Sequence, residues 1–256
     1  MLNQPPPPRH RRGIFLLPNL FTTAALFAGF YAIVAAMGER FEVASVAIIL
    51  AIVLDGLDGR VARITHTESA FGAAYDSLSD MVAFGLAPAL VAYEWSLVSL
   101  GKLGWLAAFV FTASAALRLA RFNVQIDVAD KRYFQGLPSP SAAGLLGVLV
   151  WLGVEYGFSG EKVAVLVSLV TILTGILMVS NIRYHSLKGI DLKGKVPFIS
   201  ALAIVLIFVM ISINPPLVLF SGFSVYAILG PVLTLFHIRK RREARKSAAD
   251  SASKKS

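Results

Sequence analysis

The stretch VLDGLDGRVARITHTESAFGAAYDSLSD, residues 53–80, carries four aspartates, Asp55, Asp58, Asp76 and Asp80, in and beside strongly apolar sequence. Carboxylates are costly inside a membrane-spanning helix and mark function there by default. Asp55 and Asp58 are three residues apart and Asp76 and Asp80 four apart, so on helices each pair shares one face. The short polar turn ITHTES, residues 64–69, makes the two helices antiparallel neighbours. One pair then closes its helix and the other opens the next, at similar depth, where the two can face each other.

The rest of the chain explains why these helices read as membrane spans. Of 256 residues, 56% are hydrophobic and 15% charged, and the mean hydropathy is +0.71. A soluble domain is about a quarter charged. Eight apolar runs approach or exceed the roughly 20 residues needed to cross hydrocarbon: 14–37, 43–61, 71–97, 103–119, 139–156, 163–182, 196–213 and 217–236. The first exceeds the roughly 7–15 residues of a signal-peptide core and reads as a retained span.

Basic residues sort between the alternate loops. Arg40, Lys102 and Lys162 fall on one side, and the other 21 of the 24 Lys and Arg on the opposite side. By the positive-inside rule the 21 are cytoplasmic, as are both termini. The expected fold is all-α: a polytopic integral membrane bundle of about eight helices, with both termini cytoplasmic. Residues 1–12 are a disordered Pro/Arg-rich start, 13–238 the membrane domain, and 239–256 a basic polar tail. The net charge of +9 then reflects orientation and anionic headgroups, and no nucleic-acid partner is expected. With no cysteine, disulfides and thiolate metal sites are excluded. His10, His66, His185 and His237 show no metal-cage spacing. Glu68 in the turn offsets the positive end of the following helix.

Four carboxylates in a small space repel unless cations lie between them. Oxygen-only ligands favour hard ions such as Mg²⁺, Mn²⁺ or Ca²⁺, and a two-metal site suits phosphoryl transfer. An isolated Asp pair at a helix end is as readily a cap or an ion-pair partner; two pairs matched in depth and flanked by glycine favour the metal site. Gly56, Gly59 and Gly72 allow a ligand or a backbone to approach closely. Arg63 is placed to hold a phosphate or to balance the carboxylates. A cation transporter also uses buried carboxylates, but it predicts polar residues deeper in several spans, and these are sparse.

Written out, the stretch is D55-G-L-D58-G59-R-V-A62-R63, eight residues, G72-A-A-Y-D76-S-L-S-D80. It resembles the signature of the CDP-alcohol phosphotransferases, D-x-x-D-G-x-x-A-R-x(8)-G-x-x-x-D-x-x-x-D, at every fixed position. Within that family LPNLFT (17–22), LRLARFNV (117–124), FQGLPSPSAAG (134–144) and NIRYHSLKGIDLKGKVPF (181–198) resemble the bacterial membrane phosphatidylserine synthases.

The resemblance implies transfer of phosphatidyl from CDP-diacylglycerol to L-serine with release of CMP. It also implies a divalent metal cofactor, Mg²⁺ or Mn²⁺ and two ions, and a homodimer in the bacterial cytoplasmic membrane with its active site facing the cytoplasm. Carried over by position, Asp55, Asp58 and Asp76 would be metal ligands. Asp80 would lie near or on the metals as general base. Gly59, Ala62, Arg63 and Gly72 would line the CDP pocket. Glycerol-3-phosphate, inositol phosphate or choline are rival acceptors, which the aspartate spacing does not separate from serine.

Outside the signature, Arg118 and Arg121 share one helix face, with Asn123 just after. Guanidinium there suits a serine carboxylate or a lipid phosphate; interfacial snorkelling is the plainer reading. Asn19 and Thr22 are candidates for nucleotide contact from the first span, against a helix-start turn after Pro18. Pro138 and Pro140 break the chain before a small-residue run suited to packing. The loop RYHSLKGIDLKGK is a candidate for headgroup binding or ordinary cytoplasmic charge.

Overall fold

A computed structural model describes residues 16–65, 69–125, 133–185 and 198–253. Among them the α-helices are α1 (Leu16–Met37), α2 (Phe41–Thr65), α3 (Ala70–Asp80), α4 (Ala87–Trp95), α5 (Lys102–Gln125), α6 (Ser139–Glu155), α7 (Gly160–Val179), α8 (Phe198–Ile213) and α9 (Pro215–Ser253). A π-helical turn, Met81–Leu86, joins α3 to α4 into one rod, and a 3₁₀ turn, Leu97–Leu100, follows it. The helical rods coincide in position with the eight apolar runs. Among the described residues, four segments are long and apolar enough to cross a membrane: Asn19–Met37, Lys102–Val124, Gly160–Val179 and Pro215–Thr234. Ser139–Glu155 is apolar but shorter.

Small side chains set the close packing. Ala28, Ala32 and Ala35 of α1 and Ala44, Ala47 and Ala51 of α2 are buried, and such residues let helix backbones approach. The α1–α2 turn closes through Arg40 N–H to the Ala35 carbonyl at 2.9 Å, with Glu39 in the left-handed region at φ 57°. A Cβ on Gly29 would stand 2.6 Å from Ala83 Cα, so α1 lies directly on the π-turn. Gly147 of α6 receives Ile48 of α2, and Gly144 receives the Phe223 ring of α9.

The π-turn has a local cause. Pro88 has no N–H and its ring crowds the carbonyl one turn earlier, so the helix widens and Ala87 N–H reaches back to the Val82 carbonyl. The Thr112 hydroxyl of α5 lies 3.4 Å from the Gly85 carbonyl. Such π-turns concentrate at functional sites, and this one begins one residue after Asp80.

Two findings modify the expected all-α fold. Tyr133–Gln135 (β1) and Arg183–His185 (β2) pair antiparallel, with Phe134 opposite Tyr184. Gly136, at φ 77°, allows the chain to leave β1 against the Met178 carbonyl, which any Cβ would meet. Tyr184 is buried against Gly230 of α9 and donates its hydroxyl to the Ala227 carbonyl at 3.0 Å. Burial and then the neighbouring Tyr226 push its phenol up to about 12, which keeps it a donor. Second, α9 continues through the expected polar tail to Ser253. Residues 1–12, His66, Glu68 and Asp191, with most of the loop around Asp191, lie outside the described residues.

Candidate active site

The site is built where α1 and α3 begin and α2 and α5 end. Asp55 and Asp58 project from α2, and Asp76 and Asp80 from α3. One carboxylate oxygen each from Asp55, Asp76 and Asp80 lies within 4.8 Å of the others, and all three residues are half-buried. Asp58 is buried, and its Oδ2 accepts from the Thr22 hydroxyl at 2.8 Å. The pattern of spacings three and four therefore does bring α2 and α3 face to face, with Asp58 held at the α1 side of the group.

The beginning of α1 acts as a scaffold for both carboxylate-bearing helices. Thr22 is buried; besides donating to Asp58, its carbonyl accepts from the Ser79 hydroxyl at 3.0 Å. The Thr23 hydroxyl is 2.9 Å from the Tyr75 hydroxyl. Asn19 Oδ1 would be 3.5 Å from a Cβ on Gly72, whose N–H is capped by Ser69 Oγ at 3.0 Å. That cap begins α3 and thereby fixes the phase at which Asp76 and Asp80 emerge. Asn19 stands beside the glycine and Thr22 beside the aspartate, which is a positioning role for Thr22.

The signature glycines divide. Gly72 is closely approached by protein, whereas a Cβ on Gly56 or Gly59 would meet nothing within 4 Å among the described residues. Packing of the described residues therefore gives no reason for glycine at 56 and 59, and leaves space open beside the carboxylates. The Arg63 side chain is exposed, and its Nε donates to the Gly59 carbonyl at 2.7 Å. Ala62 lies on α2 between them; its side chain is outside the described residues.

The three candidates at the end of α5 separate. Arg118 is buried, 8% exposed. Its Nη1 donates to Ser139 Oγ at 2.8 Å, and its Nε has no hydrogen-bond partner among the described residues. Among the described residues, Asp80 and Tyr226 are ionisable groups within electrostatic reach of it. Arg121 is only half-buried and lies 3.4 Å from Asn181 Oδ1. Asn123 is exposed and donates to Ser77 Oγ at 3.0 Å, clasping α5 to α3 one turn from Asp80. Ser139, Ser77 and Tyr226 were not singled out from sequence. The available signal for Ser139 was its place at a helix start right after Pro138, within a segment read as packing.

The donor set is all oxygen and anionic, so the residues present fit a hard divalent cation, not a soft one. Such a group beside open space can hold a metal against a phosphorylated ligand, and a carboxylate at its edge can take a proton from a hydroxyl.

Known proteins agree with that chemistry. Residues 15–237 match the family model for CDP-alcohol phosphatidyltransferase. A CDP-diacylglycerol–serine O-phosphatidyltransferase of Helicobacter pylori is 40% identical over 224 residues, covering 87% of this chain and 92% of that protein. The enzyme of the same name from Mycobacterium bovis is 36% identical over 191 residues, covering 72% and 66%. That from Methanocaldococcus jannaschii is 42% identical over 137 residues, covering 54% and 61%.

Proposed function

The chain belongs to the CDP-alcohol phosphatidyltransferase family, and we propose that it transfers the phosphatidyl group of CDP-diacylglycerol to the hydroxyl of L-serine, releasing CMP. The observation that carries this reading is the convergence of Asp55, Asp76 and Asp80 beside the open space at Gly56 and Gly59. The family generally uses a divalent metal, and the chain has an acidic cluster to hold one.

In this reading Asp55, Asp58, Asp76 and Asp80 hold Mg²⁺ or Mn²⁺, two ions in all. Bound there, the metal supplies neutralisation of charge on the diphosphate and on the leaving CMP. Gly59, Ala62 and Gly72 leave room for the nucleotide, with Asn19 and Thr22 at its α1 side. Arg63 leaves its own helix to reach the diphosphate. Asp80 takes the proton of the serine hydroxyl, whose oxygen bonds to the phosphorus that carries diacylglycerol. The bond from that phosphorus to the bridging oxygen breaks, and CMP departs with the electron pair. Arg118, Arg121 and Asn123 border the acceptor or the lipid phosphate.

The chain is read as a homodimeric, eight-span protein of the bacterial cytoplasmic membrane, both termini and the site on the cytoplasmic side, with 13–238 as the membrane domain. The 21-to-3 distribution of basic residues supports that orientation. It lets acyl chains stay in lipid while cytidine and serine arrive from the cytosol.

The test is CMP release by purified protein given CDP-diacylglycerol with serine, glycerol-3-phosphate, inositol phosphate or choline in turn, with and without Mn²⁺. Metal-dependent release with serine is expected. Release with glycerol-3-phosphate and none with serine overturns the reading.

A further inference from the structure

We propose that the Tyr184 hydroxyl supplies α9 with the hydrogen bond that Pro231 withholds, so that the β1–β2 ribbon is a latch on a proline hinge. Pro231 lies inside α9, near the end of the apolar stretch Pro215–Thr234. A proline has no N–H for the carbonyl four residues earlier, and its ring crowds that carbonyl. Here the vacated carbonyl is that of Ala227, and it accepts from the Tyr184 hydroxyl at 3.0 Å. An unserved carbonyl is costly in apolar surroundings, and helix prolines are tolerated there when a neighbouring group takes it up. The other proline inside a helical rod, Pro88, is accommodated by widening into the π-turn. Around Pro231 the chain stays α-helical, with the donor brought in from outside.

Both partners are shaped for this contact. Gly230, the residue before the proline, makes room for the Tyr184 ring, which any Cβ there would strike. The ring is buried and packs on that of Tyr226, with centroids 5.6 Å apart. Pairing with β1 holds Tyr184 in place. Gly136 N–H donates to the Ile182 carbonyl at 2.8 Å and Leu137 N–H to the Leu177 carbonyl at 3.0 Å. The ribbon is thereby tied to the end of α7 and the start of α6, and it carries that anchorage to α9. Beyond the hinge α9 runs on to Ser253 through the basic run Arg239, Lys240, Arg241 and Arg242. Kinks at proline commonly exceed about 20°. At about 1.5 Å of rise per residue, such a bend would carry Ala248 roughly 9 Å. The latch therefore fixes where the basic arm stands relative to the bundle.

A double-mutant cycle of Tyr184→Phe and Pro231→Ala tests the latch, because Pro231→Ala returns an N–H to the helix at the hinge. In the wild-type background Tyr184→Phe lowers the melting temperature by about 3–6 °C, the scale of one buried hydrogen bond left unmade in a chain of this size. In the Pro231→Ala background the same change costs less than half as much, since the helix itself now serves the Ala227 carbonyl. No loss in the wild-type background, or a loss at least half as large in the other, overturns the inference. The hinge is read separately by spin labels in this cysteine-free chain, on Leu173→Cys at an exposed position of α7 and on Ala248→Cys. Tyr184→Phe shifts or broadens the distance distribution between the labels by at least about 5 Å, and adding Pro231→Ala restores it. A distribution unchanged by Tyr184→Phe overturns the hinge. Neither readout uses turnover, so failure here is distinct from failure of the serine-transferase reading.

Discussion

The two ends of the rod formed by α3, the π-turn and α4 use glycine in opposite ways. At the end that carries Trp95, three glycines inside or opening helices are filled by protein, while Gly101 and Gly157, at positive φ, are not. A Cβ on Gly104 would strike the Leu97 carbonyl, one on Gly153 the Trp95 ring, and one on Gly160 the Trp95 carbonyl. Ser96 seals the junction by donating to the Gly160 carbonyl at 2.7 Å. At the other end, among the described residues, nothing lies within 4 Å of a Cβ on Gly56 or Gly59, next to the converging carboxylates of Asp55, Asp76 and Asp80. One end is closed by its own packing; in the proposed function the other is completed by a cation and a ligand.

The largest effect should come from the open end. Asp76→Ala removes one member of the carboxylate group and should lower CMP release by at least about 1,000-fold, on the scale of losing transition-state charge stabilisation. Without metal the same change relieves like-charge repulsion. The variant should therefore melt no lower than wild type in metal-free buffer, and Mn²⁺ should raise its melting temperature less. A loss of folding equal to the loss of activity would show that the carboxylates hold the fold together.

At the closed end the balance reverses. Gly160→Ala forces a methyl into the Trp95 carbonyl and should cost about 1–3 kcal/mol as an overpacked contact, read as a lower denaturation midpoint. Metal-dependent turnover per folded molecule should stay near wild type. The smallest change is Gly59→Ala. It replaces a helical glycine that has room for a methyl, so stability should rise by about 0.5–1 kcal/mol. The KM for CDP-diacylglycerol should rise several-fold, because that methyl occupies the ligand's space. Unchanged KM with raised stability would mean that Gly59 faces solvent and not the nucleotide.

How much of this could be read from sequence depends on the range of the interaction. Spacings of three and four are helix geometry, so the pairing of Asp55, Asp76 and Asp80 was legible, as was the position of each helical rod. Thr22 reaches Asp58 across 36 positions and Arg118 reaches Ser139 across 21. Such partners depend on how helices cross, which local pattern does not encode. Strands of three residues are too short to show a two-residue period, so the ribbon that seats Tyr184 was invisible. The tail was read as polar chain because of its charge, yet Arg, Lys, Ala and Glu are good helix formers and α9 runs on through them. Nor does a glycine declare in sequence whether it will be filled, as Gly160 is, or left open, as Gly59 is.

Asp80 sits where the open end meets the π-turn, and its proposed proton transfer joins the carboxylate group to the reaction. The most direct measurement assays purified Asp80→Asn protein in parallel for CMP release with serine and for CDP-diacylglycerol binding. The prediction is release reduced by at least about 1,000-fold, at the strong end of general-base effects, with binding within about three-fold of wild type. Release above one tenth of wild type, with binding intact, would contradict the assignment of the base.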